Sequence, residues 1–302
     1  MHPQLKCIVA TVFVLASGIA LAEDEGTSDR DQLKITALEA LIDAPPERVM
    51  PRVRKVLEEN NSDEVKESAL FLLSQIDTPE AQTLLVETAR ASGGDLQVEA
   101  IQMIGIGGDP AALSQLSSLY ETGDIDVREA VLQAYMIADD VDAVMEIART
   151  TQNDEEFELA VEMLAAMDAT EELRSLNLSD RPGMSESLIH AYIITDDYAS
   201  LKTLAMDGSN VDRQVDAIEA LGIVGGEDAA PTLVEIYRGS SDPDVREAAL
   251  EGLTIGDYDE SVLELYRASD DKAEKSELLE YLSIMDSDAV WDIIDDALAG
   301  EE

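Results

Sequence analysis

Residue types that carry most enzyme chemistry are scarce in this sequence. Its 302 residues include one cysteine, Cys7, and two histidines, His2 and His190. Cys7 lies in a segment, 1–22, that we expect to be removed, so no thiolate nucleophile and no cysteine metal site would survive. His190 alone cannot form a histidine metal cluster. The segment 269–272 reads Ser-Asp-Asp-Lys and matches Ser-x-x-Lys without companion motifs, while the glycines of 105–108 follow no predicted strand. We therefore expect no enzyme, no cofactor, and no catalytic, cofactor-binding or metal-binding residue.

Carboxylates, in contrast, are abundant. Asp and Glu number 66 against 20 Lys and Arg, which gives a formal charge of −46. Nucleic-acid binding requires clustered basic residues, so this charge argues against a nucleic-acid partner. Apolar residues make up 45% of the chain, enough for a core, but aromatic residues only 4%. The core must therefore be aliphatic.

The first 22 residues have the order of a secretory signal peptide. A short basic start, 1–6, precedes an apolar run, 7–22, which ends in Ala-Leu-Ala before an acidic stretch. At 16 residues the run is shorter than the ~20 that cross a membrane, although an uncleaved anchor is the alternative. We expect cleavage, export to the periplasm or the medium, and no stable membrane insertion of the mature chain. An acidic segment, 23–31, would then begin the mature protein.

A repeat of 28 to 32 residues runs through the rest of the chain. Positions one, four and sixteen residues after each anchor are large and apolar in all nine repeats, whereas the chain is 45% hydrophobic. The nine anchors are Ala37, Ala69, Ala100, Val131, Ala160, Leu188, Ala217, Ala249 and Leu278.

These offsets predict a pair of helices in each repeat. The 3.6-residue period places the anchor, +1 and +4 on one face of a first helix, and Gly, Asp and Pro between +6 and +10 end it. Position +16 then lies on the buried face of a second helix. Such a unit cannot bury its core alone, so we predict an all-α fold, an α-solenoid of about nine repeats over 32–299. A candidate hinge lies near 179–184, and an acidic tail occupies 300–302.

Two segments carry a family resemblance. Asp-Pro-Asp-Val-Arg-Glu-Ala-Ala-Leu at 242–250 and Gly-Ile-Gly-Gly-Asp-Pro-Ala-Ala-Leu at 105–113 resemble HEAT-like repeats of the phycobilisome-lyase type. The resemblance covers roughly 31–299 and implies a right-handed superhelix that binds protein. It does not imply lyase activity, since only some relatives handle bilins.

Charged residues recur at fixed positions of the repeat. Glutamates at +2 form either a cation-binding strip or a solvated outer face, and we favour the latter: Glu39, Glu162, Glu219, Glu251 and Glu280. His190 occupies the same position and should lie at the surface. A basic column at −3 is interpreted as structural: Lys34, Lys66, Arg128, Arg246 and Lys275. In HEAT-like repeats such residues resemble those that pair with turn aspartates, for which Asp124, Asp126, Asp242 and Asp244 are available.

Two further groups are candidates for partner contact. Arg48, Arg52, Arg54 and Lys55 form a basic cluster that could dock an acidic partner or the segment 23–31, or could be ordinary helix-surface charge. Tyr120, Tyr237 and Tyr266 end second helices and could grip a peptide, although core packing explains their spacing equally well.

The function predicted from these patterns is an exported, non-catalytic scaffold or adaptor that binds another protein of unknown identity. One alternative is an acidic cation-binding or envelope-stabilising protein without a dedicated partner, with weak cation binding. A repeat-built lyase or other enzyme is the third.

Overall fold

The computed structural model describes residues 28–176, 185–226, 228–285 and 288–299, and all regular structure within them is helical. Four predicted segments lie wholly or mostly outside the described residues: the signal peptide expected at 1–22, the acidic segment 23–31, the candidate hinge 179–184 and the acidic tail 300–302. The chain divides into two compact units, of which the first ends at Ile147 and the second begins at Ala148.

Each repeat contributes a first helix with the predicted apolar face. These helices are α1 (Asp29–Glu39), α3 (Asp63–Ser74), α5 (Asp95–Gly107), α8 (Ile125–Ile137), α10 (Asp154–Ala166), α12 (Ser185–Ile194), α14 (Val211–Val224), α16 (Pro243–Ile255) and α18 (Lys272–Ile284).

The second helices are more varied in length. They are α2 (Pro46–Glu58), α4 (Pro79–Ala91), α6 (Pro110–Leu113) with α7 (Leu116–Thr122), α9 (Val141–Thr150), α11 (Thr170–Arg174), α13 (Tyr198–Ala205), α15 (Ala229–Gly239), α17 (Asp259–Ala268) and α19 (Asp288–Ala299). The second helix of the third repeat is thus split in two, and that of the fifth repeat is only five residues long.

The predicted core positions form the core. Of the 27 residues at +1, +4 and +16, 22 are buried. The other five are half-buried and lie in the end repeats or in the fifth and sixth: Leu41, Leu176, Leu204, Leu279 and Ile294. The all-α fold of nine helix pairs is therefore confirmed within the described residues, while the superhelical handedness stays a prediction.

Aspartate pairs shape the turns between first and second helices. Asp139 and Asp196 take left-handed backbone conformations, with φ of 59° and 54°, which Asp tolerates better than most residues. The following residues, Asp140 and Asp197, cap the next helix by accepting hydrogen bonds from the backbone N–H of Ala143 and Ser200, each at 3.2 Å. In each pair one aspartate closes the turn and the other begins a helix.

Candidate protein-interaction site

The outer face of each first helix lies opposite its core face. At 100° per residue, positions +2 and +6 fall about 150–200° away from the centre of the stripe formed by the anchor, +1 and +4. Positions +3 and +5 lie on the flanks, where neighbouring first helices meet. The outer face is therefore described by two positions per repeat, one helical turn apart.

Position +6 carries an exposed isoleucine in four successive repeats of the second unit. The exposed fractions are 48% for Ile194, 56% for Ile223, 53% for Ile255 and 71% for Ile284. We call these four residues the isoleucine band. In the first unit the equivalent Ile106 and Ile137 are half-buried. Exposed apolar side chains aligned on successive repeats do not contribute to the core, and such patches mark interaction sites on soluble proteins.

Position +2 places carboxylates beside this band. We call Glu219, Glu251 and Glu280 the glutamate band; Glu219 is half-buried and the other two are exposed. Burial, followed by the charges of Glu251 and Asp216, raises the pKa of Glu219 above its usual value. The carboxylates of Glu219 and Glu251 therefore repel each other across neighbouring helices. Among the residues that the structure describes, no ion pair reaches any member of the glutamate band.

Close backbone contact holds two of these helices together. A Cβ atom on Gly222, at +5 of α14, would lie 2.4 Å from the carbonyl oxygen of Gly252, at +3 of α16. In the first unit, a Cβ on Gly105 of α5 would lie 2.6 Å from the carbonyl oxygen of Ala134 in α8. Small residues at the flanking positions thus let first helices approach closely, which brings their outer positions near one another.

Burial of carboxylates, together with repulsion among them, gives the fold a defined pH dependence. Burial and neighbouring acidic groups raise the pKa of Glu67, Glu99, Asp216 and Glu219. The folded protein then binds these protons more tightly than the unfolded chain does, so stability rises as pH falls from 7 towards their ordinary values of about 4. We expect the thermal midpoint of unfolding to peak on the acid side of neutrality, measured by circular dichroism across pH.

Adding salt to the same measurement distinguishes screening of carboxylate repulsion from specific cation binding. Molar NaCl shortens the Debye length to about 3 Å and should raise the midpoint at pH 7 while flattening its rise on acidification. Glu219→Gln should reproduce part of the gain at low salt. If millimolar calcium alone produced the whole gain, the repulsion account would be wrong and the cation-binding alternative would be favoured. Within the described residues, no group of three or more metal-ligating side chains could hold a metal ion.

The basic cluster does not act as one surface. Arg48, Arg52 and Lys55 are exposed along one face of α2 at helical spacing, and Lys55 lies 3.6 Å from Glu59. Arg54 is half-buried and points towards the next repeat, where its guanidinium lies 3.6 Å from Glu87. Three of the four residues therefore remain available to a partner, and the fourth links neighbouring repeats.

The tyrosines and the basic column come together, which the sequence reasoning treated separately. Arg128 lies 5.7 Å from the ring centre of Tyr120, and Lys275 lies 5.2 Å from that of Tyr266. In each pair the ring of a tyrosine near the end of one repeat contacts a basic side chain in the first helix of the next repeat. Such cation–π contacts add to the packing between repeats. Lys34 of α1 also donates to Asn61, in the turn before α3, at 2.5 Å. Lys66 is half-buried on α3.

Tyr237 follows one of the two interpretations of its spacing, core packing, whereas Arg246 corrects an expectation about its partner. Tyr237 is only 1% exposed, so it is a core residue and cannot grip a partner in this structure. Arg246 lies 4.0 Å from its ring centre and donates to Glu274 at 2.7 Å, one repeat further on. Asp242, an expected partner of Arg246, instead accepts from the backbone N–H of Asp244 at 3.0 Å. The reason is geometric: stacking brings the next helix within reach of the guanidinium.

Other sequence candidates lie apart from the bands. His190 is exposed at +2 of α12, next to the isoleucine band. A groove of about 290 Å³ between α5 and α8 is lined by acidic side chains, among them Asp95, Asp124 and Glu129. No helix in the described part of the chain is both long and apolar enough to cross a membrane.

The isoleucine band was missed by the sequence reasoning, although a signal was present. Six of the nine repeats have isoleucine at +6: Ile106, Ile137, Ile194, Ile223, Ile255 and Ile284. Only positions +1, +4 and +16 were used to define the repeat. An apolar residue placed opposite the core stripe would have indicated an exposed contact surface.

Comparisons with known proteins include remote likenesses to solved structures, two of which are given below. No protein family and no curated protein match the sequence. Among solved structures, the complex of CpcE and CpcF of phycocyanin lyase from Nostoc is similar with a TM-score of 0.35 and 15% identity, covering 88% of this chain and 98% of that one. Human deoxyhypusine hydroxylase in complex with glycerol is similar with a TM-score of 0.32 and 17% identity, covering 84% and 99%. At such scores the likenesses carry no argument, and the helix pairs themselves establish only that the chain is an all-α repeat protein within the described residues.

Proposed function

We propose that this chain is an exported, non-catalytic scaffold or adaptor that binds another protein through the outer face of its first helices. The isoleucine band is the observation that carries the proposal. The four aligned isoleucines expose apolar surface to water. A partner that covered this surface would gain about 25 cal/mol of binding free energy per Å² of apolar surface buried. Export is supported by the signal-peptide order of residues 1–22.

A second contact surface is the exposed side of the basic cluster. Arg48, Arg52 and Lys55 project from α2 in a chain whose net charge is −46. Because the chain has only 20 Lys and Arg against 66 Asp and Glu, few other surfaces could bind an acidic segment of a partner. This surface belongs to the first unit and is tested independently of the isoleucine band.

The proposal predicts that the band decides partner binding. In a pull-down from the exported fraction, Ile223→Ser/Ile255→Ser should lose the wild-type partner, because its apolar anchors are removed. The matched control, Ile42→Ser/Ile125→Ser, changes two isoleucines that are 49% and 54% exposed outside the band and should retain it. Circular dichroism would check that both variants are folded.

Retention of the same partner by both variants would contradict the role of the band. In that case Arg48→Gln/Arg52→Gln/Lys55→Gln tests whether the basic cluster is the docking surface instead. Absence of any partner for the wild type would favour the acidic protein without a dedicated partner.

A further inference from the structure

The outer face of the second unit combines two parallel bands of opposite character. On each first helix the +2 and +6 positions are four residues apart, which is a rise of about 6 Å along the helix axis. The glutamate band (Glu219, Glu251 and Glu280) and the isoleucine band therefore run side by side across α14, α16 and α18. A ligand lying across these helices would touch both bands at once.

The spacing of successive first helices is close to the seven-residue span of an α-helix. Packed helices lie about 8–10 Å apart, so isoleucines at the same position of successive first helices are expected at about that spacing. Seven residues of an α-helix span about 10.5 Å. A helix laid across the first helices would therefore present one apolar side chain per seven residues to each isoleucine. Four isoleucines would be covered by about 22 residues.

Charge decides which helix can lie there. Within the described residues the glutamate band has no cationic partner, and Asp216 of α14 adds another negative charge beside Glu219. Burial and the charges of Glu251, Glu247, Glu277 and Glu280 raise the pKa of Tyr281, so the negative field continues to α18. An acidic helix would be repelled, whereas Lys or Arg along one flank would neutralise the band while the apolar residues cover the isoleucines.

We propose that the partner surface is a basic amphipathic α-helix, with an apolar residue every seven residues and Lys or Arg along one flank. It lies across the first helices of the second unit, its apolar residues on the isoleucine band and its cations on the glutamate band. This inference rests on the proposed function and identifies the chemistry of the partner at the same surface.

The experiment uses synthetic peptides as probes of the full chain. The test peptide is a helix of about 22 residues with leucine at every seventh position and lysine on one flank. Three controls replace lysine by glutamate, replace leucine by serine, or use a proline-rich extended peptide. Binding is measured by fluorescence anisotropy. The leucine–lysine peptide should bind, and its three controls should bind at least about tenfold more weakly.

Protein variants locate the binding. Glu219→Gln/Glu251→Gln should weaken the leucine–lysine peptide at least about tenfold and reduce its salt dependence. The matched control, Glu260→Gln/Glu264→Gln, removes two exposed carboxylates of α17 and should leave binding within about twofold.

Contrary outcomes separate the two proposals. Equal binding of the glutamate peptide, equal loss in the α17 control, or preference for the extended peptide would overturn the basic-helix inference. If Ile223→Ser/Ile255→Ser still lost its natural partner, the scaffold function would stand without it. If that variant kept the partner, the proposed function would fail first.

Discussion

Replacing Gly222 by alanine is expected to destabilise the protein by about 1–3 kcal/mol. The new Cβ would lie 2.4 Å from the carbonyl oxygen and 2.7 Å from the Cα of Gly252, and backbone atoms cannot rotate away as a side chain can. Helices α14 and α16 must therefore move apart and lose packing on both sides. In an ordinary helix interior the same change would stabilise by about 1 kcal/mol, so even the sign is diagnostic.

The matched control is Gly239→Ala, at the end of α15. A Cβ there would meet nothing within 4 Å, so we expect a small stabilisation, up to about 1 kcal/mol. Urea denaturation followed by circular dichroism measures both changes. A midpoint for Gly222→Ala equal to that of the wild type would show that the two helices can separate without loss. Gly105→Ala, facing Ala134 in the first unit, should behave like Gly222→Ala.

The second large effect is expected at Asp197, whose removal should cost about 2 kcal/mol. Its side chain is 1% exposed and forms a two-pronged contact with Arg174, with distances of 2.8 Å to Nε and 2.6 Å to Nη2. It also accepts hydrogen bonds from the backbone and hydroxyl of Ser200. Asp197→Ala therefore removes a helix cap and the buried carboxylate to which Arg174 donates.

The loss should depend on pH in a defined direction. Burial alone would raise the pKa of Asp197, but the hydrogen bonds of Arg174 and Ser200 outweigh it and lower the pKa below the usual value. The stabilisation is thus present above about pH 4 and is lost as pH falls through the lowered pKa. Urea midpoints of wild type and Asp197→Asn should converge under strongly acidic conditions.

Asp196 provides the control for this position. It is exposed and takes a left-handed conformation with φ of 54°, which glycine adopts freely. Asp196→Gly should change stability by less than about 1 kcal/mol in either direction. Comparable losses for both substitutions would mean that the turn itself, and not the contact with Arg174, supplies the stability.

The repeat was predictable because it depends on local geometry. Helical periodicity needs only the 3.6-residue turn, so apolar residues at +1 and +4 were enough to identify Leu70 and Leu73 as core. Turn sequences are equally local, since Asp139 and Asp140 indicate the end of one helix and the N-cap of the next. Long-range interactions were not needed for either conclusion.

Pairing across repeats depends instead on how neighbouring helices are placed and rotated. Arg174 and Asp197 are 23 residues apart, and Arg246 and Glu274 are 28 apart, so periodicity alone could not select these partners. Turn aspartates were expected for Arg246, and a glutamate of the following first helix is its partner. A few ångströms of helix placement decide which carboxylate a guanidinium reaches.

The sequence by itself determined the helix pairs, their caps and the aliphatic core, because hydrogen bonding and side-chain periodicity act within a few residues. Tertiary structure decided which isoleucines are covered. Ile218 and Ile223 lie on the same helix, yet the first is fully buried and the second is 56% exposed. Their difference arises because the neighbouring helices pack against the core side and the flanks of α14, which leaves the opposite side, with its isoleucine and glutamate bands, exposed.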